Sequence, residues 1–529
     1  VVLNYCSSLH FGTAEKNQSI VETIFLIFLI GGKMTAQMIA KIAAFVIYLG
    51  SMIYVGLRNA SKNNSSADFF LGGRKVGPWV TALSAEASDS SAWLLMGLPG
   101  LCYLGGVQES IWTAVGLIVG TYLSWLFVAK PLRKCSITFG DSITIPEFLS
   151  NRFKDKSHIL SIVSVIFIVL FFTIYTASGF VACAKLFNSV FGLNYHAGLA
   201  IGLVVILCYT ITGGYTAVCT TDFLQGSLIF IAFIVSTLIV VFSIGGVGDS
   251  INVFKNFQEL AGTELKAFDG MGIISALAWG LGYFGMPHII VRFMGIRSNS
   301  EVGKARRIGI IWMIISYIGA ILIGTLGTVY LKKFGITLDS VSAETVFSET
   351  MKNMYPAFIA GIFLCAILAA SMSTADSQLL AASSAVSQDI FKGLIKKNAE
   401  EKEVMIISRF TVFLIALIAL LLSLNPNSSI FSLVSFAWSG FGGTFGPLIL
   451  LSLYWKRTTA PGAIAGLICG GITDVVWHYI PASVAKIFGL YEILPAFIVC
   501  LVVTVLVSLL TKPDAEVLTK FEEYKKMED

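Results

Sequence analysis

The sequence predicts an all-α polytopic membrane protein with about 13 transmembrane helices. First, 56% of its 529 residues are hydrophobic and only 13% are charged, whereas soluble domains carry about 25% charged residues. Second, the mean hydropathy is +0.82. Third, the apolar runs are continuous and do not alternate with polar residues, which excludes a transmembrane β-barrel.

Each predicted helix is an apolar run close to the length of about 20 residues that crosses a bilayer. The predicted spans are 37–56, 77–103, 109–129, 158–188, 195–213, 222–245, 271–291, 308–330, 356–386, 406–424, 430–454, 460–480 and 490–511. No stretch between them is long enough for a separate soluble domain. We therefore predict one transmembrane domain over residues 34–512 and a short charged tail at 513–529.

The segment before Met34 does not fit this pattern. Its apolar run, 24–32, is too short to span a membrane, and no clear basic region precedes it, as a secretory signal would require. Residues 31–34 read Gly-Gly-Lys-Met, which can be encoded by DNA resembling a bacterial ribosome-binding site and start codon. We therefore expect Met34 to be the native start and residues 1–33 to be a non-native N-terminal extension.

Charged residues predict an orientation and exclude some functions. If the end near Met34 lies outside, the inner loops collect most Lys and Arg residues, Arg152 and Arg292 among them, as the positive-inside rule requires. An odd number of spans then puts the C-terminus in the cytoplasm. The net charge of +5 comes without a basic block, so nucleic-acid binding is not predicted. Nine cysteines and five histidines are scattered without metal-binding spacing, so a metal centre is not expected.

Two polar clusters interrupt predicted spans at corresponding places. Residues 84–93 read SAEASDSSAW and lie in the second span, and residues 279–289 read WGLGYFGMPHI and lie in the seventh. Glycine and proline in the latter weaken the helix. Unsatisfied backbone groups cost several kcal/mol in hydrocarbon, so a broken helix must line a cavity or a protein interior. Broken helices at matching places in two halves of a chain indicate the substrate site of an inverted-repeat transporter.

A third cluster, AASMSTADSQ at 369–378 in the ninth span, is rich in hydroxyl groups. Ala370, Ser373 and Asp376 follow one another at intervals of three residues, which places them on adjoining stripes of a helix. Hydroxyl and freed carbonyl oxygens are the ligands that suit a hard monovalent cation. The pattern therefore favours a cation site in this part of the span.

Six stretches carry a more specific pattern. They are SDSSAWLLMGLPG (88–100), LFFTIYTASG (170–179), TGGYTAVCTTDFLQGSL (212–228), WGLGYFGMPHIIVRFMG (279–295), MSTADSQLL (372–380) and SFAWSGFGGTFGP (435–447). They resemble the sodium:solute symporter family, and within it the branch that transports proline; the resemblance extends over nearly all of 37–511. It implies a LeuT-type core of two inverted five-helix repeats, here spans two to six and seven to eleven, with extra terminal helices.

The resemblance implies a sodium site between the second and ninth spans. Its ligands would be the backbone carbonyls of Ala87, Ser90 and Ala370 and the hydroxyls of Ser373 and Thr374. Asp89 matches a carboxylate on which sodium-dependent activity relies. Asp222 and Ser377 match positions that some relatives use for a second sodium ion.

The resemblance also implies a substrate pocket beside the two broken helices. Its residues would be Ser91, Ala92, Tyr175, Trp279, Tyr283 and Pro287. Aromatic faces suit proline because they bury its ring and attract its secondary ammonium. Exposed N–H groups where the second half of the broken helix begins, near Ser91, suit its carboxylate.

Some positions depart from the family pattern. Ser90 stands in place of Met, Ala92 of Gly, Met286 of Gln, Asp376 of Ser and Glu86 of Gly. The Ala92 methyl group would narrow the pocket, so another small amino acid stays open as the substrate. Asp376 adds a carboxylate near the ion path, so the number of coupled sodium ions also stays open.

The buried charges also have structural interpretations. Asp89 would cap the second half of the broken helix, and Asp222 would cap the sixth span. Glu86 would pair with a basic residue or with buried backbone. Asp474 and His478, four residues apart in the twelfth span, would form a peripheral polar pair.

The function predicted from these observations is sodium-coupled import of L-proline across the bacterial cell membrane by alternating access. Sodium- or proton-coupled uptake of another small solute, such as pantothenate or another amino acid, is the alternative. An intramembrane aspartyl protease is disfavoured, because neither Asp89 nor Asp376 lies in a GxGD pattern, and no Walker loop is present for ATP. The partners expected are sodium, the solute and the bilayer; no enzyme activity, organic cofactor, nucleic acid or obligate protein partner is predicted.

Overall fold

A computed structural model describes residues 35–60, 66–262 and 268–527. The predicted extension at 1–33 and the predicted start at Met34 lie outside the described residues. Within these ranges the chain is helical, and its one β-bridge joins Val76 to Ile296. That bridge ties the entry of one broken helix to the exit of the other.

The helices, numbered along the chain, vary widely in length because polar clusters and glycines divide several of them. They are α1 Ala36–Ala60, α2 Ser66–Leu71, α3 Pro78–Ala92, α4 Leu98–Gly105, α5 Gln108–Ser124, α6 Lys130–Thr138, α7 Ile145–Phe153, α8 Ile159–Phe191, α9 Tyr195–Ser243, α10 Val247–Lys255, α11 Phe257–Ala261, α12 Gly270–Ala278, α13 Pro287–Gly295, α14 Val302–Lys332, α15 Val346–Met354, α16 Ala357–Ser384, α17 Glu401–Leu422, α18 Ile430–Tyr454, α19 Ala460–Tyr479, α20 Ile493–Leu510 and α21 Ala515–Lys526. Single π-helical turns follow α3 at Trp93–Gly97 and α5 at Trp125–Ala129, and a longer π-helical segment, Ala385–Ile395, follows α16.

Ten helices of the described chain are long and apolar enough to cross a membrane, or eleven if the bent pair Gly270–Phe284 and Pro287–Gly295 counts as one span. The protein is therefore a multi-pass membrane protein. The exact count of about 13 is not confirmed, because two predicted spans are not among the helices that meet this criterion in the described chain. The span at 77–103 carries the polar cluster of α3, and the first half of α9 contributes the short apolar helix Tyr195–Leu207.

Three long segments are broken where the sequence weakens the helix. Ser91 interrupts α3 with φ 43° and ψ −177°, and Gly214 interrupts α9 with φ 65° and ψ 175°. Between α12 and α13 the residues Trp279–Phe284 form a 3₁₀ turn, after which Pro287 starts the new helix and the axis bends by 43°. A positive φ is unfavourable for a non-glycine residue such as Ser91, so this break is held by its surroundings.

The core surrounds two central helices. In the most apolar windows of α16 and α18, 78% of the residues are buried, against 28% in α1 and α20. The peripheral helices leave their apolar faces to the lipid, whereas α16 is enclosed by protein over most of its length. A polar group on α16 must therefore find its partners inside the protein.

The C-terminal segment is a docked helix. Phe521 and Tyr524 of α21 are buried, and Phe521 lies 4.7 Å from the guanidinium of Arg152. Arg152, which the sequence places in an inner loop, is fully buried and donates to the Ser452 carbonyl at 2.8 Å. Its role is thus structural.

Glycine allows α5 to contact the 3₁₀ turn between α12 and α13 through backbone alone. A Cβ on Gly280 would lie 2.2 Å from the Gly116 carbonyl oxygen, and one on Gly120 would lie 2.2 Å from the Gly280 oxygen. Because the neighbouring atoms are backbone, they cannot rotate away. The 3₁₀ turn Trp279–Phe284 is therefore held against α5.

We expect Gly280→Ala to lower the melting temperature of the detergent-purified protein, because overpacking costs about 1–3 kcal/mol. Gly50→Ala is the control, since a Cβ at Gly50 meets no atom within 4 Å and alanine favours the helix. Thermal unfolding followed by intrinsic fluorescence measures both. Equal melting temperatures would contradict the close backbone contact.

Candidate functional site

The two polar segments of α3 and α16 are in direct contact. The hydroxyl of Ser373 donates to the Ala87 carbonyl at 2.8 Å and lies 3.2 Å from the Ala370 carbonyl. This contact lies one helical turn before the break at Ser91. Three of the five predicted sodium ligands thus meet at one point.

The other two predicted ligands belong to the same segments. The Thr374 hydroxyl is buried and has no hydrogen-bond partner among the described residues. The Ser90 carbonyl accepts the N–H of Trp93, and the Ser90 hydroxyl bonds the Glu86 carbonyl at 2.6 Å. An orphaned buried hydroxyl beside backbone carbonyls is a set of oxygen ligands that fits a hard cation.

Asp89 faces the predicted substrate residues. Its carboxylate accepts a short hydrogen bond from the Tyr283 hydroxyl, and its backbone carbonyl lies 3.4 Å from the Tyr175 hydroxyl. The alternative in which Asp89 caps the second half of the helix is wrong, because the Ser91 hydroxyl accepts the N–H of Trp93 at 3.1 Å. Within the described chain no hydrogen bond joins the Asp89 carboxylate to Ser373 or Thr374.

Glu86 lies on the same face of α3 as Asp89. Its carboxylate accepts from the Trp125 indole at 3.3 Å, and no ion pair to it occurs in the described ranges. The pairing of Glu86 with a basic residue is therefore wrong. Glu86, Asp89, Trp125 and Tyr283 close around one another so tightly that no water-sized space remains between them.

An aromatic cluster covers the break on the side where α4 ends. The Trp279 ring stacks on Trp93 at 5.4 Å and on Tyr491 at 5.1 Å, and it lies 5.5 Å from Phe431. The indole of Trp438 donates to the Trp279 carbonyl at 2.7 Å. These contacts bury Trp279 almost completely, so a solute on this side reaches Asp89 only if the rings part.

A buried ion pair fastens the edge of this cluster. Lys185 and Glu344 lie 2.6 Å apart, and each side chain is 8% exposed. The Glu344 carboxylate also accepts from the Ser429 hydroxyl at 3.0 Å and from the Phe431 N–H at 3.1 Å. The start of α18 is thereby tied to α8.

On the opposite side the protein is more open. A cavity of about 720 Å³ lies between the loop after α6, the π-helical segment after α16 and α21, with Lys154 and Asp389 among its lining residues. A narrow crevice nearer the centre is lined by Pro287, Arg292 and Ser377. Pro287 therefore lies on this side of Asp89, whereas Trp279 lies on the other.

The predicted pocket residues are thus distributed around the break in α3. Tyr175, Tyr283 and Ser91 converge on it, and Ala92 is buried immediately after it. Trp279 covers them on one side, and Pro287 begins α13 on the other.

A second polar cluster lies next to the Ser373 contact. The Asp222 carboxylate accepts from the Ser84 hydroxyl at 2.7 Å and from the Ser88 hydroxyl at 3.1 Å. The hydroxyls of Ser88 and Ser377 are 2.9 Å apart. Asp222 is not a helix cap, because the second half of α9 begins directly after Gly214 and Asp222 lies two turns further on.

Arg292 completes this cluster and is the main residue that sequence reasoning missed. It is 2% exposed and forms an ion pair with Asp222 at 3.3 Å, so its assignment to an inner loop was wrong. A single arginine in an apolar run is itself a signal, since charges inside a membrane face the protein interior and are kept for function. The sequence offered no comparable signal for Ser88.

The predicted pair of Asp474 and His478 does not form. His478 Nδ1 lies 2.9 Å from the Glu492 carboxylate instead, and Asp474 is fully buried without a hydrogen bond to His478. Glu492 immediately precedes α20. The spacing of residues within α19 therefore could not reveal its contact with His478.

The site thus combines hydroxyl and carbonyl oxygens on two touching helices, a carboxylate that faces tyrosines, and an aromatic cluster that covers them. It holds no group of three or more His, Cys, Asp or Glu residues able to bind a metal ion within the described ranges.

Two solved structures share the fold of this chain. A Na⁺-coupled sialic acid symporter in a substrate-bound outward-open state matches with a TM-score of 0.72 at 19% identity, covering 90% of this chain and 98% of its own. MHP1, a nucleobase-cation-symport-1 family transporter in a closed conformation, matches with a TM-score of 0.51 at 13% identity, covering 87% and 99%.

Relatives found by sequence comparison have a higher identity to this chain. The osmoregulated proline transporter of Bacillus subtilis is 44% identical over 473 residues, which is 89% of this chain and 94% of the relative. A sodium/proline symporter of Escherichia coli is 44% identical over 485 residues, or 91% and 95%. The profile of the sodium:solute symporter family matches residues 69–470. The chain therefore belongs to the sodium:solute symporter family.

Proposed function

We propose that this protein imports L-proline together with sodium across the bacterial cell membrane by alternating access. The observation that carries the proposal is the 2.8 Å contact of the Ser373 hydroxyl with the Ala87 carbonyl, which brings the predicted ligands of one small cation together beside the broken helix. The relatives at 44% identity, a proline transporter and a sodium/proline symporter, support proline as the solute.

Sodium would bind between α3 and α16. Its ligands are the carbonyls of Ala87, Ser90 and Ala370 and the hydroxyls of Ser373 and Thr374. A bound ion satisfies the orphaned Thr374 hydroxyl and stabilises the conformation in which both helices touch. Asp89 acts from a distance, since its carboxylate faces Tyr283 and raises the negative potential at the site.

Proline would bind at the break, among Ser91, Ala92, Tyr175, Trp279, Tyr283 and Pro287. Its carboxylate meets the N–H groups that follow Ser91. Its ring and ammonium meet the aromatic faces and the Asp89 carboxylate. Binding requires the side chains around Asp89 to separate, because they leave no water-sized space when closed.

The proposed mechanism also uses the repeat organisation and the membrane orientation predicted for the fold. About 13 spans, with two inverted five-helix repeats at spans two to six and seven to eleven, would relate α3 to the broken pair α12 and α13. The orientation that puts Lys and Arg inside places the aromatic cluster outside and the C-terminus in the cytoplasm. The cavity of about 720 Å³ then lies on the cytoplasmic path.

The membrane potential supplies the driving force. One positive charge moving inward releases about 2.3 kcal/mol per 100 mV. Since each tenfold ratio corresponds to about 1.4 kcal/mol, one sodium ion per neutral zwitterion supports roughly 50-fold accumulation. No nucleotide hydrolysis is needed.

Uptake of labelled proline into proteoliposomes tests the function directly. We expect uptake that depends on an inward sodium gradient and that saturates with proline. Competition by a panel of amino acids and pantothenate identifies the preferred solute. Uptake of the same rate in potassium buffer would contradict sodium coupling, and competition by another solute but not by proline would contradict the substrate.

We expect Ser373→Ala and Thr374→Ala each to raise the sodium concentration for half-maximal uptake about 10-fold to 100-fold, because a ligand to a charged group contributes about 1.5–3 kcal/mol. Ser371→Ala is the matched control, since its buried hydroxyl on the same helix bonds the Ile367 carbonyl. Sodium titration of initial uptake rates measures all three. An unchanged sodium requirement in both variants would refute the site.

We expect Trp279→Leu to raise the KM for proline roughly 3-fold to 30-fold with little change in the sodium requirement, because an aromatic face contributes about 0.5–2 kcal/mol toward a cation. Trp477→Leu is the control, since its indole bonds the Leu490 carbonyl at the periphery. Kinetics at saturating sodium separate the two effects. A larger change for Trp477→Leu would contradict the pocket.

A further inference from the structure

The two residues that match a second sodium site do not leave room for an ion. One terminal nitrogen of Arg292 lies 3.3 Å from Asp222 Oδ2, 2.5 Å from the Ser377 hydroxyl and 2.9 Å from the Ser88 hydroxyl. A hard cation such as Ca²⁺ holds oxygen ligands at about 2.3–2.6 Å, and sodium needs a similar shell. An ion bound by Asp222 and Ser377 would therefore overlap the guanidinium nitrogen.

The guanidinium is fixed in this place. Its Nε donates to the Ser84 hydroxyl at 3.2 Å, its other terminal nitrogen donates to the His288 carbonyl, and its centre lies 5.7 Å from the Tyr215 ring. Every nitrogen of the group thus has a partner. With 2% of the side chain exposed, Arg292 cannot move aside without breaking contacts to α3, α9 and α16.

Charge leads to the same conclusion. Asp222 is fully buried and already has a positive partner in direct contact. A sodium ion at the same oxygens would put two positive charges side by side in a medium of low dielectric constant. Asp376, whose carboxylate lies 3.4 Å from the Ser377 hydroxyl, is the remaining acid that faces the cluster.

We propose that the Arg292 guanidinium is a built-in cation that takes the place of a second sodium ion between Asp222 and Ser377, so that the protein couples one sodium ion to each substrate. This inference rests on the proposed sodium-coupled uptake. Ser377 lies one helical turn from Ser373 on α16, so the fixed charge also stays close to the sodium ion that is transported.

The coupling ratio of the unmodified protein tests the inference. In proteoliposomes held at 100 mV, inside negative, with equal sodium on both sides, we measure the outward-directed proline gradient at which net flux stops. We expect a gradient of roughly 50-fold for one sodium ion. A gradient of roughly 2,000-fold, the value for two ions, would overturn the inference and leave sodium-coupled uptake intact. No sodium-dependent uptake at all would overturn both.

Equilibrium binding of radioactive sodium to purified protein tests the role of the guanidinium without requiring transport. We expect about one ion per chain in the unmodified protein and about two in Arg292→Gln, because the vacated oxygens and the unpaired Asp222 then attract a cation. The double variant Asp222→Asn/Arg292→Gln removes both charges and should return to about one. A count of one in Arg292→Gln would overturn the exchange of guanidinium for sodium. If Arg292→Gln cannot be purified, the flux gradient of the unmodified protein decides alone.

Discussion

The structure depends on a helix that breaks inside the membrane-spanning part of the protein. Ser91 adopts a positive φ, so the carbonyls of the residues just before it lose their regular helical partners. In hydrocarbon an unsatisfied backbone group would cost several kcal/mol, so such a carbonyl has to meet a donor, and the Asp89 carbonyl lies 3.4 Å from the Tyr175 hydroxyl. On α16 the Ser373 hydroxyl donates to the Ala87 carbonyl at 2.8 Å, so this helix presents polar groups that have to be enclosed by protein. The glycine contacts between α5 and the 3₁₀ turn hold the second broken segment in place.

Buried charges are stabilised in two different ways around this contact. Asp222 has a fixed positive partner in Arg292, and replacing that partner by a mobile ion would require the guanidinium to leave. In the described part of the chain Asp89 and Glu86 have only neutral donors, Tyr283 and Trp125, so their carboxylates retain the capacity to respond when a cation approaches. Removing one member of a buried pair is strongly destabilising, whereas among the described residues the Asp89 and Glu86 carboxylates have no such pair to lose. The cluster around Asp222 is therefore suited to hold four helices together, and the face with Asp89 is suited to change during a transport cycle.

Local pattern predicted the architecture well, because hydropathy and helix breakers act over a few residues. The span predicted at 430–454 is α18, Ile430–Tyr454, and both broken segments lie where serines, glycines and proline interrupt apolar runs. Most corrections at the site concern contacts between distant residues. Asp222 resembles a cap when only its neighbours in sequence are considered, yet its partners are Ser84, Ser88 and Arg292 on other helices. His478 likewise pairs with Glu492 across a loop rather than within its helix. The approach of Ser373 to Ala87 followed only from the family resemblance, since no local periodicity relates residues so far apart.

Coupling between ion binding and solute binding is expected because one short segment, residues 87–93, contributes to both proposed sites. Within seven residues of α3 and its π-helical turn lie the Ala87 carbonyl on the ion side, the Asp89 carboxylate among the tyrosines and the Trp93 ring that stacks on Trp279 at 5.4 Å. If a sodium ion draws the Ala87 end toward α16, the segment cannot shift without also moving Asp89 and the aromatic cover. A solute that parts the rings would in turn act on the Ala87 carbonyl, the proposed ion ligand. The two binding free energies are then linked, and linkage of this kind is equal in both directions. The ion pair of Lys185 and Glu344 strengthens the aromatic cluster against opening, because Glu344 holds the N-terminal end of α18 and with it Phe431. In the proposed cycle the broken helix would serve as ion ligand, solute site and hinge at once, which would explain why serines and carboxylates occupy a segment that lipid alone would exclude.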